Sequence, residues 1–565
     1  MNEETTDKVN RYLQLSDTLL HGETAVKRKE WEPIARIMAP ELLEAAGLRE
    51  HTTTYEYERG CAAAVECADK LTGACVSYIT PMGHRWFRFS SWSNEIGSDM
   101  SDDEKDELDM WFVKLSDIVQ EAVERSNFYG QMVAAFYDFV VTGTAVMFCG
   151  VDKDEARLNF YHVPAGTYGL DKDYKGRPTT LTREYTMTAF QIREMFPNAE
   201  LPGRVMASWD KLDKRYTDRF DVVHIVAPRE GYSKKDYNEL KPTTYPYLSM
   251  FILKDDKWLL EESGYKEFPY LVLRYSVSGN QIFGTSAFVR GKDIIYDIRE
   301  METIALEDAK KKVMPPVLVP AEMAGQVNLE AGGETIVPPQ FTNANTPREW
   351  GIGGEVRDIL LHLERLENVL KKITQVEQLE LISSQQREMT ATEVLARQRE
   401  KVMSYARTFT QIKDDFTPFM LRILNCTIEL GLVDLDDPET PDFVWRMEDD
   451  VRVLNIPKVQ YIGRMAQAME QAQMQNVDTC YRSLSELAHI NQDADLLMPI
   501  DSAKMARGQA IAQGMPYQYL RSPKEIKRMK EELQTTIQQQ QASQSQLQEA
   551  QAREHQAKAA SALSR

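Results

Sequence analysis

Cysteine is sparse and unpaired in this sequence, and no long apolar run occurs. The six cysteines contain no C-x-x-C pair, which argues against a zinc ribbon and against a dense disulfide framework. The longest nearly apolar run, residues 139–149, is about half the roughly 20 residues that a membrane-spanning helix needs. The opening residues, MNEETTDKVN, are polar and predict no signal peptide. These absences predict a soluble protein of the cytoplasmic type with reduced thiols.

Positive charge is in deficit. The 565 residues include 67 Lys and Arg against 87 Asp and Glu, which gives a net charge of −20. This balance argues against a protein that grips nucleic acid over most of its surface, because phosphate binding needs Lys and Arg. It leaves open a protein through which nucleic acid passes without adhering. The hydrophobic content of 42% is sufficient for real cores, and the length corresponds to about three to four ordinary domains or to one large mixed assembly.

Catalytic and metal-binding motifs are also missing. The eight His residues include no H-x-x-x-H pair, and no G-x-S-x-G turn occurs. Residues 279–286, GNQIFGTS, approach a phosphate-binding loop, but Thr285 stands where that loop requires Lys. We interpret the stretch as a turn before a helix that Thr285 or Ser286 caps. The acidic residues 448–450 are interpreted as an exposed turn after a strand, so we predict no enzyme, metal or cofactor.

Helical and strand patterns alternate along the first half of the chain. Helices are predicted over 8–46 and after the capping box that Ser101 and Glu104 form. Short segments rich in Tyr, Val and Ile then predict a β-rich domain over 156–275, interrupted by one short helix that stops before Pro197.

Two helices separated by a Pro- and Gly-rich excursion follow the β-rich part. The first helix is predicted to run from Gly284 to Val313, and the excursion spans 314–350. The second helix begins near Gly354 and carries apolar residues at alternating spacings of three and four, typical of a heptad seam. Its members are Val356, Ile359, Leu363, Leu366, Leu370 and Ile373. Taken alone, the seam fits an ordinary core helix as well as a helix–helix seam.

A polar break, SSQQREM, interrupts the helical pattern directly after this second helix. Thr390 and Glu393 form a capping box that predicts a new long helix, kinked near Pro418 and ending at Gly431. An acidic linker and a strand over 443–449 come next. Helices are predicted over 457–490 and 501–513, and a Gln-rich helix from Pro523.

Three local stretches and the order of these elements carry a resemblance to a known family. They are YITPMGHRWFR (78–88), FPYLVLRYS followed by FGTSAF (268–288), and MTATEV (389–394) after the Gln-containing break. Over residues 10–500 the chain resembles the portal, or head-to-tail connector, proteins of short-tailed, podovirus-type phages. The Gln-rich C-terminal tail matches no feature of that family.

The resemblance implies an α+β, mainly α, portal fold with wing, stem helices, clip and crown, assembled as a ring. The implied parts are a wing or outer body (1–284), a first stem helix (285–313), a clip (314–350), a second stem helix (351–382), a tunnel loop (383–392), a long helix returning to the wing (393–455), crown helices (456–522) and the tail (523–565).

The resemblance also implies a function and its residues. Viral DNA would enter and leave through the axial channel of a ring, with 12 subunits in the family, at one capsid vertex of the virion. The tunnel loop facing DNA would comprise Ser383, Ser384, Gln385, Gln386, Arg387 and Glu388. The clip docking surface would comprise Glu322, Gln326, Asn328, Glu330 and Glu334, and the seam residues above would pack the stem.

The implied partners are copies of the same chain, double-stranded viral DNA, terminase, tail adaptor and tail tube proteins, and the major capsid and scaffolding or internal core proteins. Assembly would take place in the host cytoplasm, with no membrane partner. Two alternatives remain: a coiled-coil scaffold or adaptor of a large assembly without a DNA channel, and a nucleotide-driven enzyme that uses residues 279–286.

Overall fold

The computed structural model describes most of the first three quarters of the chain and scattered parts of the remainder. The described residues are 3–47, 60–90, 102–235, 239–279, 281–325, 327–328, 336–337, 347–349, 356–376, 391–435, 445–448, 450–454, 457–462, 480–487, 505–506, 528–529, 532 and 535. Everything below refers to these residues. Helices and strands are mixed among them, which confirms the predicted α+β class.

Thirteen α-helices are labelled in chain order within the described residues. They are α1 Glu3–His21, α2 Glu23–Met38, α3 Pro40–Ala45, α4 Ala62–Ile79, α5 Asp102–Glu124, α6 Phe128–Thr142, α7 Ala189–Met195, α8 Gly203–Trp209, α9 Leu212–Thr217, α10 Ala287–Arg290, α11 Lys292–Val313, α12 Val356–Ile373 and α13 Ala391–Glu429. The described residues 480–487 are helical as well.

The strands of the same described residues form five antiparallel groups. Their bounds are β1 Phe87–Ser90, β2 Thr144–Asp152, β3 Arg157–Val163, β4 Tyr168–Lys172, β5 Pro178–Thr188, β6 Arg219–Pro228, β7 Tyr247–Leu253, β8 Trp258–Tyr265, β9 Tyr270–Arg274, β10 Val317–Leu318, β11 Arg348–Glu349, β12 Trp445–Glu448, β13 Val451–Leu454 and β14 Lys458–Tyr461. The sheet orders are β3-β2-β9, β4-β5-β6-β7-β8, β1-β14, β10-β11 and β12-β13.

The chain divides into two compact units, which we describe separately. The first comprises Met1–Met82 and Glu124–Cys426, and the second comprises Gly83–Val123 and Thr427–Arg565. The sequence analysis grouped 1–284 as one outer body, whereas the structure assigns the segment from Gly83 to Val123 to the second unit. Sequence patterning does not report this grouping, because it depends on contacts between segments that are far apart in the chain.

The first unit is built on the three-stranded and five-stranded sheets. The β-rich domain was predicted from strand-like segments over 158–164, 180–188, 220–228, 247–253 and 268–276, and these are present as β3, β5, β6, β7 and β9. The helix α7 is also present, with Thr188 and Gln191 forming its capping box. One face of the five-stranded sheet is covered by α1, whose Val9, Tyr12 and Leu13 pack on buried residues of β6 and β7.

A buried polar network connects the two sheets of this unit. The His224 ring on β6 bonds to Tyr270 on β9 through Nδ1 at 3.1 Å and to Ser249 on β7 through Nε2 at 3.0 Å. It also stacks on Phe251 with ring centroids 3.9 Å apart. Burial lowers the pKa of His224 well below its ordinary value, so the ring is neutral at physiological pH. The network fixes one sheet against the other through directional bonds.

Strand β2 follows α6 directly, at a position that the sequence analysis left unassigned. Gly143 ends α6 in the left-handed conformation with φ of 93°, and its N–H bonds the carbonyl of Phe139 at 3.1 Å. A side chain at Gly143 would also collide with the backbone around Thr285 and Ser286. The apolar run 139–149 is therefore the end of a helix and the start of a strand, buried throughout except at Phe148, which is half-buried.

The second unit contains α5 and the two small hairpin-like sheets β1-β14 and β12-β13. Ser116 on α5 accepts a hydrogen bond from the Phe89 N–H of β1 at 2.9 Å, which ties the helix to the strand. The predicted helix over 457–490 is wrong at its start, because Lys458–Tyr461 forms strand β14 and pairs with β1. Val459 and Tyr461 are buried on alternate positions, so a partner 370 residues away in the chain overrode the local helical interpretation.

Candidate functional site

Helices α11 and α12 form an antiparallel hairpin in the first unit. At one end, a side chain placed on Gly291 would touch Ile373, so the start of α11 lies beside the end of α12. At the other end, β10 pairs with β11 in the register Val317↔Glu349 and Leu318↔Arg348. The two helices therefore run side by side in opposite directions, and the β10-β11 pair lies at the far end of the hairpin.

Burial falls along α11 from its base to its tip. Ile295 and Ile298 are completely buried, whereas Ile304 and Leu306 are 39% and 42% exposed. Val313, at the end of the helix, is 80% exposed. Three lysines, Lys310 to Lys312, occupy the last turn, where they stabilise the negative end of the helix dipole.

The same gradient runs in the opposite chain direction along α12. Leu360 and Leu361 are 52% and 55% exposed, while Leu370 near the base is fully buried. The residues that follow, Thr374 and Val376, are also fully buried, and the Thr374 hydroxyl bonds the Leu370 carbonyl at 2.8 Å. The base of the hairpin is thus embedded in the first unit, and its tip presents apolar side chains to solvent in the single chain.

The predicted stem-packing residues are distributed along this gradient. Leu370 is buried, whereas Ile359, Leu363, Leu366 and Ile373 are half-buried. The side chain of Val356 lies outside the described residues, although its backbone begins α12. One chain therefore covers the seam only in part, which leaves contact area for further helices. The assignment of these residues to subunit packing stays a prediction.

The predicted clip residues are only partly within the described structure. Asn328 is described and exposed, and the backbone of Glu322 belongs to a short 3₁₀ turn, Ala321–Met323. Gln326, Glu330 and Glu334 lie outside the described residues. Nearby, Met323 is 1% exposed while Ile336 is 91% exposed. The described part of the excursion thus has a packed side and a strongly exposed apolar residue.

All six predicted tunnel-loop residues, Ser383 to Glu388, lie outside the described residues. What the structure gives is the helix that follows them, α13, which begins at Ala391 and continues through Pro418 to Glu429. The DNA-facing role of Ser383, Ser384, Gln385, Gln386, Arg387 and Glu388 therefore stays a prediction.

The sequence analysis missed a pair of buried ionic contacts that hold α13 against the three-stranded sheet. Arg274, at the end of β9, places Nη2 2.5 Å from Oδ1 of Asp415, and its backbone N–H bonds Oδ2 at 3.0 Å. Gln411 adds a bond to Oδ1 at 3.1 Å. Burial raises the pKa of Asp415 to about 6, against the opposing effect of the Arg274 guanidinium.

The second contact lies seven residues further along α13. Arg422 approaches Glu267 with Nη1–Oε2 at 3.6 Å, and its Nε donates to the Cys149 carbonyl on β2 at 3.3 Å. Asn425 also donates to the Glu267 carboxylate. Burial raises the pKa of Glu267 to about 7, although the Arg422 charge lowers it. We call Arg274, Asp415, Glu267 and Arg422 the α13 seat.

A signal for the seat exists in the sequence. The buried face of α13 carries Ile412, Phe416, Phe419, Met420 and Ile423. Asp415 and Arg422 fall on that same face, where a charge is unexpected unless a partner accompanies it. What the sequence does not reveal is the partner, because Arg274 lies 141 residues before Asp415.

The stretch that approaches a phosphate-binding loop is a turn, as interpreted from the sequence. Its backbone donors are already bonded: Gly284 N–H to Thr144 Oγ1 at 2.9 Å and Thr285 N–H to the Ser276 carbonyl at 2.9 Å. The Ser286 hydroxyl accepts from the Val289 N–H at 3.0 Å and caps α10. Such a turn has no free N–H groups at Gly284 and Thr285 with which to hold a phosphate.

Neither a cluster of metal ligands nor a helix able to span a membrane occurs among the described residues. Within that part of the chain, no three His, Cys, Asp or Glu side chains converge as metal ligands would. No helix there combines the length and the apolar character that crossing a membrane requires.

Comparison with known proteins gives a consistent result. A family model described as bacteriophage head to tail connecting protein matches residues 20–520. The portal protein of Salmonella phage epsilon15 is 22% identical over 441 residues, which is 77% of this chain and 75% of that protein. The probable portal protein of Bordetella phage BPP-1 is 22% identical over 433 residues, covering 75% of this chain and 73% of the relative.

Proposed function

This chain belongs to the bacteriophage head to tail connecting protein family, and we propose that it is a portal protein: the ring-shaped channel at one capsid vertex. Through this channel viral DNA is packaged and later ejected. The observation that carries the proposal is the family match over residues 20–520, joined by two relatives named as portal proteins that cover about three quarters of the chain.

The hairpin of α11 and α12 supports a ring. Each chain exposes Ile304, Leu306, Leu360 and Leu361 on a hairpin whose base is rigidly embedded. Apolar area of this kind favours burial at about 25 cal/mol per Å². A closed rotational arrangement gives every hairpin the same neighbours and leaves no apolar edge unpaired. We propose a homo-oligomeric ring, of 12 chains as the family resemblance implies.

We assign the parts of the chain within that ring as follows. Helices α11 and α12 are the stem, the excursion over 314–350 is the clip, and 383–392 is the tunnel loop. Residues 1–284 supply the wing, 393–455 supply the long helix that returns to it, 456–522 supply the crown, and 523–565 form the tail. The strand β14 at 458–461 lies at the beginning of the crown range.

The charge of the chain fits a conduit. With a net charge of −20, the chain carries too few cations to bind DNA tightly along a channel. Arg387 and the two glutamines beside it would give each subunit one cation and several hydrogen-bonding groups, which permits a weak contact that salt weakens further. In this proposal the protein performs no catalysis and needs no cofactor.

The proposed partners contact two regions of the ring, the clip and the outer surface. The clip, including Glu322, Gln326, Asn328, Glu330 and Glu334, docks the terminase during packaging and the tail adaptor and tail tube proteins afterwards. The major capsid and scaffolding or internal core proteins surround the ring at the vertex of the virion, after assembly in the host cytoplasm. The scaffold alternative without a channel is not favoured, because the family match spans the stem, the clip and the tunnel-loop region together.

A packaging experiment tests the proposal. Replacing Ser383 to Glu388 with a Gly/Ser stretch should leave the ring visible by electron microscopy and should impair packaging or retention of DNA. A control replaces the exposed turn residues Tyr174 and Lys175 with Gly and Ser and should package normally. Full packaging by the tunnel-loop variant would contradict the assignment of the loop, while rods or dimers in place of rings would favour the scaffold.

A further inference from the structure

The α13 seat places four charged side chains among largely apolar neighbours of the first unit, and only Glu267, at 25% exposed, reaches solvent to a notable extent. The side chains of Arg274 and Asp415 are 10% and 3% exposed, and that of Arg422 is 6% exposed. Around them, Phe419 packs on Phe160 of β3 with ring centroids 6.2 Å apart. The Arg422 guanidinium lies over the Tyr265 ring at 5.1 Å. Charges in such surroundings need an explanation, because apolar residues would fill the same space at lower cost.

Buried ion pairs are weak sources of stability. Removing charged groups from water costs about as much as their mutual attraction returns, and replacing a whole pair with apolar residues is often neutral or stabilising. What a pair does supply is discrimination, since each charge accepts only a partner of opposite sign at a defined position. The best-attested use of such pairs is to fix register between packed elements.

The spacing of the seat suits this use. Asp415 and Arg422 are seven residues apart, which places them two turns apart on one face of α13. Their partners are Arg274 at the end of β9 and Glu267 in the turn before it. Both contacts therefore join α13 to the same strand. The two charges on the helix have opposite sign, and so do their partners.

A displaced helix would lose both contacts at once. Sliding α13 by one turn moves it about 5.4 Å along its axis, which leaves Arg274, Asp415 and Arg422 buried without an opposite charge. The apolar face, with Phe416 and Met420, could repack after such a slide, because hydrophobic contacts are non-directional. The apolar contacts hold α13 on the sheet, and the directional contacts of the four charged residues favour one axial position over the next.

We infer that Arg274–Asp415 and Glu267–Arg422 are positioning residues that set the axial register of α13 on the three-stranded sheet. The same helix follows the tunnel-loop segment directly in the chain, beginning at Ala391. Correct register is therefore a condition for that segment to start from a fixed point. The functional consequence rests on the proposed function, whereas the register itself does not.

The experiment replaces all four charges at once with apolar side chains of similar size. The variant R274M/D415L/E267M/R422M of the full chain is compared with wild type by thermal unfolding and by cryo-electron microscopy. We expect a thermal midpoint within a few degrees of wild type, together with α13 in more than one axial position. A purely structural role would lower the midpoint and leave the position unchanged.

A matched control removes an ion pair from the surface of the same unit. Arg204 and Asp255 are paired at 2.9 Å and are each about half exposed. The variant R204M/D255L should keep both the midpoint and the single register of α13. A second pair of variants, R274M/D415L and E267M/R422M, separates the two contacts, and each should retain the wild-type register because the other contact remains.

Two outcomes would overturn the inference. The first is a quadruple variant that folds with α13 in the single wild-type position, which would mean that packing alone sets the register. The second is a quadruple variant that does not fold, which would mean that the four charged side chains stabilise the folded chain. Either outcome leaves the portal proposal untouched, because the register is measured without DNA, and a packaging failure with unchanged register would bear on the proposed function alone.

Discussion

The hairpin tip and the α13 seat belong to the same compact unit but differ in their side chains. The seat buries charged side chains that have partners, whereas the hairpin tip exposes apolar side chains. In the seat, Asp415 receives bonds from Arg274 and Gln411, and little of it reaches solvent. On the hairpin, Leu360 and Leu361 are more than half exposed, although both are strongly apolar. The difference teaches that one chain buries the charges of the seat but leaves the apolar side chains at the hairpin tip exposed, and we propose that other copies of the chain cover them. Substitutions in the two regions should therefore affect different observables.

The largest effect is expected from charge on the predicted stem seam. In L363D/L366D, two half-buried positions receive carboxylates that would be desolvated in a ring, at a cost of several kcal/mol for each copy. We expect the ring to be lost while the secondary structure of the chain, measured by circular dichroism, is kept. The control Y174D places the same charge on a side chain that is 92% exposed and should leave the ring intact. An unchanged native mass for the double variant would show that the seam is not a contact between subunits.

In the seat, a single substitution should affect folding and not assembly. D415L leaves the Arg274 cation buried without its carboxylate, which costs about 3–5 kcal/mol for a broken buried pair. The matched surface change D255L, at a carboxylate that is 52% exposed, should cost at most about 1 kcal/mol. Urea unfolding of the two variants measures this contrast. If D415L and D255L lower the free energy of unfolding equally, the Arg274–Asp415 contact is no stronger than a surface pair.

The pH dependence of stability should also report on the seat. The pKa of Glu267 is raised from 4.5 to about 7 in the folded chain, so the folded state binds more protons than the unfolded state between these values. Stability from this group is thus present at low pH and falls as pH rises from about 4.5 to about 7, by about 1–3 kcal/mol after allowance for partial exposure. The free energies of unfolding of wild type and E267Q, determined at pH 5 and at pH 8, measure this change.

The E267Q variant removes the titrating group, so its stability should change less between the two pH values than that of wild type. Asp415, whose pKa is raised to about 6, contributes a change of the same sign in both proteins and is not affected by the comparison. A wild-type chain that becomes more stable as pH rises through this window, relative to E267Q, would contradict the direction of the Glu267 shift.

The smallest effect is expected at the exposed hairpin residues in the unassembled chain. In the L363D/L366D background, L361K should change the free energy of unfolding by no more than about 0.5 kcal/mol, because Leu361 is 55% exposed. In the wild-type background, the same L361K change should lower the thermal midpoint at which the ring dissociates. If L361K lowers the free energy of unfolding of the unassembled chain by much more than this, Leu361 is packed within one copy.

The parts of this structure that the sequence predicts well are those with local periodicity. Strands β5, β6 and β7 alternate or run apolar over their whole length, α7 carries its own capping box, and Ser286 caps the helix after the turn. Each of these signals is contained within a few neighbouring residues, so no distant partner is needed to identify it.

Contacts between distant segments decide the rest. Lys458–Tyr461 forms a strand because it pairs with Phe87–Ser90. Strand β2 was missed because only Thr142, Gly143 and Thr144 separate its apolar residues from the equally apolar end of α6. The α13 seat was missed because its partners are far apart in the chain. The six tunnel-loop residues and the role of the clip were implied by family resemblance alone, and no local periodicity encodes them.

The native mass of the purified wild-type chain tests the central claim most directly. Native mass spectrometry should give a single species that is an integer multiple of the 64.8 kDa chain, about twelve copies, since a closed ring admits one fixed number of subunits. Negative-stain images of the same sample should show a central hole. A monomer or dimer at micromolar concentration, with no ring in the images, would contradict the account that the hairpin is completed by other copies of the chain.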